Sequence, residues 1–301
     1  MSLLALALGL FLERFFTHLF HLREARWLDG YFDRGLRVLR GGFFSQLGAI
    51  LIVLVPVLPV AVFAVVFRDV LLGLPFLVFA VLMLMFSLGP RDLEDEVEDY
   101  VEALHRGDTQ RAHRIAKELL ETEAPSESQQ RVMAVEEAIF IQSNNRLFGV
   151  VLWFMLLGPA GAWMFRVGDM FRRRAIYEAG RAETDGGETP PYVKLAQHIH
   201  GAIAWLPARL VALTFALAGS FEEALSDWRA YYHDCADNFF QVNDDVVACA
   251  GVGALGNPQR ESSDPTGPEI RGARSALQLV SRSLWVWLTA IAVLTIFGFA
   301  V

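Results

Sequence analysis

The chain is short of several things, and each shortage narrows what it can be. Only two of its 301 residues are cysteine. Cys235 and Cys249 form no CxxC pair and no Cys/His zinc spacing, so they read as small packing residues in a reducing compartment, not a disulfide framework or a structural metal site. Positive charge is also scarce. Lys and Arg number 26 against 34 Asp and Glu, a net charge of −8, which removes the basic stripe that nucleic acid binding requires. Lysine is nearly absent, with Lys117 and Lys194 the whole set. There is no Walker loop, no GxSxG and no GxGxxG in a βαβ setting. The Gly-rich Gly251–Gly256 follows a helical stretch instead. Strand alternation and internal repeats are missing too. Met1–Leu12 is apolar but has no basic n-region, and Glu13-Arg14 follows in place of a small-residue cleavage site, so it reads as a first membrane-associated helix.

What is abundant is uninterrupted apolar sequence. Hydrophobic residues make up 54% of the chain, above the roughly 45–50% of soluble domains, and they gather in runs. Gly48–Phe67 is uncharged, long enough to cross a bilayer, and bent by Pro56 and Pro59. Arg68-Asp69 separates it from Val70–Phe86, so the pair reads as a tight hairpin. Leu147–Phe165 is a third run, interrupted by Gly158-Pro159-Ala160-Gly161. Ala202–Phe221 is apolar but carries Pro207 and Arg209. Leu284–Val301 closes the chain, with Trp285 and Trp287 at its polar end as interfacial aromatics. The expected fold is all-α: a polytopic helical membrane protein with cytoplasmic helices between the spans.

Five regions follow: an N-terminal membrane region at 1–88, a cytoplasmic helical region at 89–146, a membrane and interfacial core at 147–256, a mobile loop at 257–283 and a terminal span at 284–301. In the second, Leu93, Val97, Val101 and Leu104 recur at helical spacing. Asp108 caps the next helix, with Ala112, Ile115, Leu119 and Leu120 on one face. Ser126 with Gln129, and Ser220 with Glu223, read as capping boxes. Glu183–Pro191 reads as a loop. The arginines around the hairpin put both its flanks in the cytoplasm. Leu147–Phe165 should then exit, yet Arg172-Arg173-Arg174 is a cytoplasmic signature. A re-entrant or broken segment at the Gly-Pro resolves the conflict.

Polar groups inside apolar segments mark the candidate sites, because lipid does not solvate them. The acidic run Asp92–Asp99 could hold a divalent cation, although a solvated helix face is the favoured reading. Glu136, Glu137, Gln142, Asn144, Asn145 and Arg146 precede an apolar run, with Glu137 and Asn144 two turns apart on one helix face. Arg209 wants a carboxylate or an anion, with Asp169, Glu137 and a bound ion as the options, and Arg166 with Asp169 belongs to the same weighing. His198 and His200 point to nearly opposite sides of a helix and read as surface or packing residues. Together, Glu137, Asn144, Asn145, Arg146, Arg166, Asp169, Arg209 and Asn243 form a ligand-binding or structural polar network, with no catalytic residue, metal ligand or cofactor assigned.

The chain resembles the AmpE family, inner-membrane proteins paired with an anhydro-muramyl amidase in bacteria with inducible β-lactamase. The resemblance runs through Glu13-Arg14-Phe15, the hairpin, Asn145-Arg146-Leu147-Phe148, Trp205-Leu206-Pro207-Ala208-Arg209-Leu210 and the Gly219–Leu225 helix start. That family is in turn similar to the CobD/CbiB membrane proteins, which use ATP to join an aminopropanol arm to cobyric acid. Several of their acidic motifs are changed here. Arg146 stands where they carry an acid, Arg172 reverses another, and His200-Gly201 replaces a pair of aspartates.

The resemblance therefore implies a multi-pass protein of the bacterial inner membrane. It implies a non-enzymatic sensor or modulator linked to β-lactamase induction and cell-wall recycling, its pocket lying where the broken third run, Arg166, Asp169 and Arg209 meet. The implied partners are the bilayer and a small cell-wall ligand or a protein, with no nucleic acid and with self-association open. Two alternatives stay open: an ATP-dependent amide ligase using Glu137, Asn145, Asp169 and Asn243, and a transporter component.

Overall fold

Prolines and glycines decide where the apolar runs bend. A computed structural model describes residues 2–15, 26–39, 45–68, 70–88, 92–184, 190–226, 243–256 and 267–297. Among them there is helix and no strand. The helices are α1 (Ser2–Phe15), α2 (Asp29–Leu39), α3 (Ser45–Leu54), α4 (Val57–Val66), α5 (Leu74–Ser87), α6 (Leu93–His105), α7 (Thr109–Leu120), α8 (Ser128–Ser143), α9 (Gly149–Thr184), α10 (Pro191–Ala218), α11 (Asn243–Leu255) and α12 (Pro268–Ile296). Three helical stretches are long and apolar enough to cross a membrane: Ser128–Arg181, Pro191–Ala218 and Pro268–Ile296. There is a fourth if the pair α3–α4, bent by 44°, is one broken span. The chain is a multi-pass helical membrane protein.

The contacts divide the chain into two compact units. One holds Met1–Pro90, Gly149–Trp205 and Ala292–Val301; the other holds Arg91–Phe148 and Leu206–Ile291. In the first, α2 buries Phe32, Leu36 and Leu39, an i, i+4, i+7 stripe. They pack with Ile52 and Val53 of α3, with Val167 and Phe171 of α9, and with Tyr192 and Ala196 of α10. Arg174 of α9 grips Asp33 of α2 through both carboxylate oxygens, at 2.7 and 2.9 Å.

In lipid, every freed backbone group needs a partner, and the proline bends show how this unit supplies one. Pro56 has no N–H, so the Ile52 carbonyl loses its helical donor; the Tyr31 hydroxyl donates to it at 3.1 Å. Pro207 frees the Ile203 carbonyl in the same way, and Trp153 Nε1 donates to it at 2.9 Å. Trp163 Nε1 donates to the Pro56 carbonyl at 3.1 Å. Burial pushes the Tyr31 phenol above its ordinary pKa, which keeps it a donor.

The expected break in the third run is present. Gly158 sits at φ 66°, ψ −154°, a region open only to glycine. A side chain there would meet nothing within 4 Å, so backbone conformation and not packing demands the glycine.

The second unit is built on close helix contact. Gly251 of α11 lies against the Phe140 ring of α8, where a Cβ would fall 2.4 Å from ring carbons. With Ala250 and Ala254 also buried, α11 presents the small-residue face that lets membrane helices approach. Phe140, Phe148, Phe215 and Trp287 pack together, with ring centroids 5.0–6.1 Å apart. The helical periods expected in α6 and α7 hold: Val97, Val101, Ala112, Ile115 and Leu119 are buried, and Asp108 accepts from the Arg111 N–H at 3.0 Å.

Several expectations need correction. Residues 268–283, expected as part of a loop, are the first half of α12. Pro268 opens the helix, a favoured position for proline, and Ile270, Ala273, Ala276, Leu279 and Val280 are its buried face. Small residues on a half-polar helix hid that period. The Ser126 capping box does not form: α8 begins two residues later, with Glu127 at the N-cap and no side-chain cap, and Ser128 donates to Glu269 at 2.5 Å. Trp287 is buried and donates to Thr214 at 2.9 Å, so only exposed Trp285 fits the interfacial role. The second arm of the hairpin is a helix of 14 residues, α5, about 21 Å long and shorter than a full span. The 257–266 stretch, most of the 183–191 loop, and residues 227–242 with Cys235 among them lie outside the described residues.

Candidate functional site

In the second unit the α8 helix widens into a single π turn, Asn144–Phe148. Such bulges cost helical regularity and often sit at functional sites. This one brings Gln142, Asn144, Asn145 and Arg146 into the interior, all buried. Arg146 Nη1 meets Glu96 Oε2 of α6 at 2.5 Å, and its Nε donates to Gln142 Oε1 at 2.9 Å. The Gln142 amide donates onward to the Leu119 carbonyl at 3.1 Å and to Glu121 at 2.9 Å. A guanidinium buried to this degree is tolerated only with such partners.

The adjacent asparagines are less fully engaged. Asn144 Nδ2 donates to Asn145 Oδ1 at 3.3 Å. Asn144 Oδ1 and Asn145 Nδ2, in side chains with no exposure at all, have no hydrogen-bond partner among the described residues. Flipping both amides only exchanges which atom is left over. One buried donor and one buried acceptor remain side by side either way.

Arg209 of α10 donates to Asn243 at the start of α11. Glu137 is half buried, within electrostatic reach of Asp245. On the neighbouring helices Glu269 gathers Arg131 at 2.7 Å, Ser128 at 2.5 Å and the Tyr100 hydroxyl at 3.5 Å. Burial, with Glu269 alongside, pushes the Tyr100 phenol up to about 12. A cleft of about 430 Å³ opens beside this network, with Glu136 and Arg271 in its wall.

In the first unit Asp169 is fully buried and ringed by three guanidinium groups, Arg173 at 2.9 Å, Arg172 at 3.0 Å and Arg166 at 3.2 Å, with His200 Nε2 at 3.9 Å. The His200 ring also packs on Phe165, 5.6 Å between centroids. The structure thus joins Arg166 to Asp169, Arg209 to Asn243, and Asn144 to Asn145 beside Arg146. Arg166 and Asp169 belong to one compact unit, Arg209 to the other.

Sequence reasoning missed Arg172, Arg173 and His200 as Asp169 partners. The two arginines were read as a topology mark, yet their i+3 and i+4 spacing from an acid in an apolar segment was a signal. Three of the six acids in the run are engaged within the chain: Asp92 caps α6, Glu96 pairs Arg146 and Asp99 pairs Arg111. Among the described residues no three His, Cys, Asp or Glu side chains are placed to hold a metal ion.

The family model for the regulatory signalling modulator protein AmpE matches residues 1–301. The chain belongs to the AmpE family. It is 22% identical to protein AmpE of Shigella flexneri over 234 residues, 77% of this chain and 78% of that one. It is also 27% identical to the cobalamin biosynthesis protein CobD of Stutzerimonas stutzeri over 222 residues, 69% of this chain and 70% of the relative. The CobD protein of Chromobacterium violaceum gives 27% over 225 residues, 70% and 69% of the two chains. No solved structure matches the chain. AmpE membership and the helices agree on a membrane protein of regulatory type.

Proposed function

We propose that this protein is a non-enzymatic modulator in the bacterial inner membrane that couples cell-wall recycling to β-lactamase induction. One observation carries the non-enzymatic part. Arg146, standing where the CobD-type motif has an acid, is neutralised by Glu96 and hydrogen-bonded to Gln142 inside the protein. That arrangement occupies the polar layer with the chain's own charges, whereas phosphoryl chemistry needs carboxylates free to hold metal and phosphate. The 430 Å³ cleft, with an acid and a base in its wall, suits a small ligand carrying both amine and carboxylate, as cell-wall peptides do.

The test is a chromosomal deletion in the source bacterium, complemented with the native gene or with Arg271→Ala. Under β-lactam challenge, the deletion is expected to change β-lactamase induction severalfold, the native gene to restore it, and the cleft variant to restore it only in part. Unaltered induction in the deletion strain overturns the reading. The similarity to CobD proteins favours one rival, an ATP-dependent amide ligase. Turnover of Mg-ATP with cobyric acid and an amino-alcohol phosphate by the purified protein would establish it.

A further inference from the structure

A second cleft, of about 760 Å³, belongs to the first unit and lies between α3 and the first turns of α10, with Leu39 and Met164 closing its walls. Its volume falls in the range of about 300–1,000 Å³ typical of small-molecule sites. Neither the polar layer nor the Asp169 cluster contributes to it.

Two helical stripes face each other across this cleft. From α10 come Lys194, His198, Ala202 and Ile203; from α3 come Gln46, Ile50 and Leu54. Both sets recur at three- and four-residue spacing, which keeps each on one face. Along α10 the two basic side chains, Lys194 and His198, lie in the first turns, interleaved with Leu195 and Ile199, and the lining beyond them, Ala202 and Ile203, is apolar. From Lys194 to Ile203 the helix rises about 14 Å, close to one leaflet's share of a hydrocarbon core about 30 Å thick. Along the α10 wall the cleft therefore passes from basic side chains to apolar ones over about the depth of a single leaflet.

Its charge has one sign. The lining holds Lys194 and His198 and no carboxylate. Lys194 is exposed, one of only two lysines in the chain, and it forms no ion pair with a carboxylate among the described residues. His198 Nδ1 lies 2.5 Å from the Lys194 carbonyl oxygen, which fixes the imidazole one turn along from the ammonium. Beside the cleft, Leu47 and Leu51 of α3 are about half exposed, an apolar approach that suits entry from lipid and not from water.

We propose that this cleft holds one acyl chain of an anionic phospholipid, laid along α3 and α10, with the phosphate against the Lys194 ammonium. A phosphocholine lipid offers the same chain and phosphate but brings its own cation to the lysine. The site therefore selects a phosphoglycerol headgroup.

The test is native mass spectrometry of the full-length protein in mild detergent. It is titrated with phosphatidylglycerol or phosphatidylcholine of identical chains, and with free glycerol phosphate. Retained phosphatidylglycerol is expected to exceed phosphatidylcholine severalfold. Lys194→Gln is expected to reduce that preference roughly fivefold. Ala202→Phe, at the oily end, should abolish retention of both lipids, with Leu54→Phe as the substitute should it misfold; thermal unfolding without added lipid checks each variant. Equal retention of the two lipids by the native protein overturns the proposal. So does an undiminished preference in Lys194→Gln, or retention of glycerol phosphate at the level of the lipid.

Discussion

The two units each bury an ion cluster, and they assemble it by opposite routes. Around Asp169 all three guanidinium groups lie within four residues along α9: Arg166, Arg172 and Arg173. Around Arg146 the counter-charge comes from Glu96, fifty residues earlier, and the remaining donors and acceptors come from Gln142 and Glu121. The first cluster is a property of one helix and forms when that helix forms. The second exists only after α6, α7 and α8 have docked. Burying a charge is costly in both places, but the local cluster brings its partners at little entropic cost, whereas the long-range one reports whether the unit is assembled.

Removing the centre of the local cluster should have the largest effect. Asp169→Ala leaves three guanidinium groups facing one another without their carboxylate, an expected loss of about 3–5 kcal/mol. Size-exclusion profiles in detergent should show little folded protein; a normal peak with unchanged melting would mean that the cluster is solvated and not buried.

The long-range pair should be replaceable. Arg146→Met alone strands Glu96 and should cost about 3 kcal/mol, whereas adding Glu96→Leu should return stability to within about 1 kcal/mol of the native protein. Chemical unfolding of the native protein, Arg146→Met, Glu96→Leu and the double variant gives the coupling directly. Additive losses would dissolve the distinction between the two clusters.

A smaller effect, on the order of 2 kcal/mol, is expected at high pH. The Tyr100 phenol has a folded pKa of about 12, above its unfolded value near 10. The folded state therefore holds its proton longer. The stabilisation is complete below about pH 10 and is lost as pH rises from 10 to 12. Tyr100→Phe should flatten that part of the stability profile, and an unchanged slope would show that Tyr100 is open to solvent.

The proline bends test the local logic at about 1–3 kcal/mol. Trp153→Phe removes the donor to the Ile203 carbonyl. Pro207→Ala restores a backbone N–H to the same carbonyl, so the double variant should recover most of the loss on thermal unfolding. No recovery would mean that Trp153 acts through its ring and not through its N–H.

Much of the site could be read before any coordinates. Asn144, Asn145 and Arg146 stood out because polar side chains led into an apolar run, and all three are buried. Arg166 and Asp169 stood out for the same reason and are paired. What escaped was the identity of the partners. Glu96 looked like one more acid on a solvated face, since five other acids share its stretch and nothing local marks the one that turns inward. The π turn was invisible because its residues are ordinary helix formers by spacing. Asn243 was legible as a candidate, but its partner Arg209 lies 34 residues away on another helix.

By itself the sequence determined the helical class, the apolar runs and their proline and glycine breaks, because membrane insertion and backbone sterics act on contiguous residues and do not wait for a fold. It also determined which polar groups had to be resolved somewhere. Only the tertiary structure decided how. It spent Tyr31, Trp153 and Trp163 on carbonyls at the proline bends, and brought Glu96 to Arg146 and Asn243 to Arg209. In a low-dielectric interior each buried donor, acceptor or charge takes whatever complementary group the packing presents, and sequence distance does not constrain that choice.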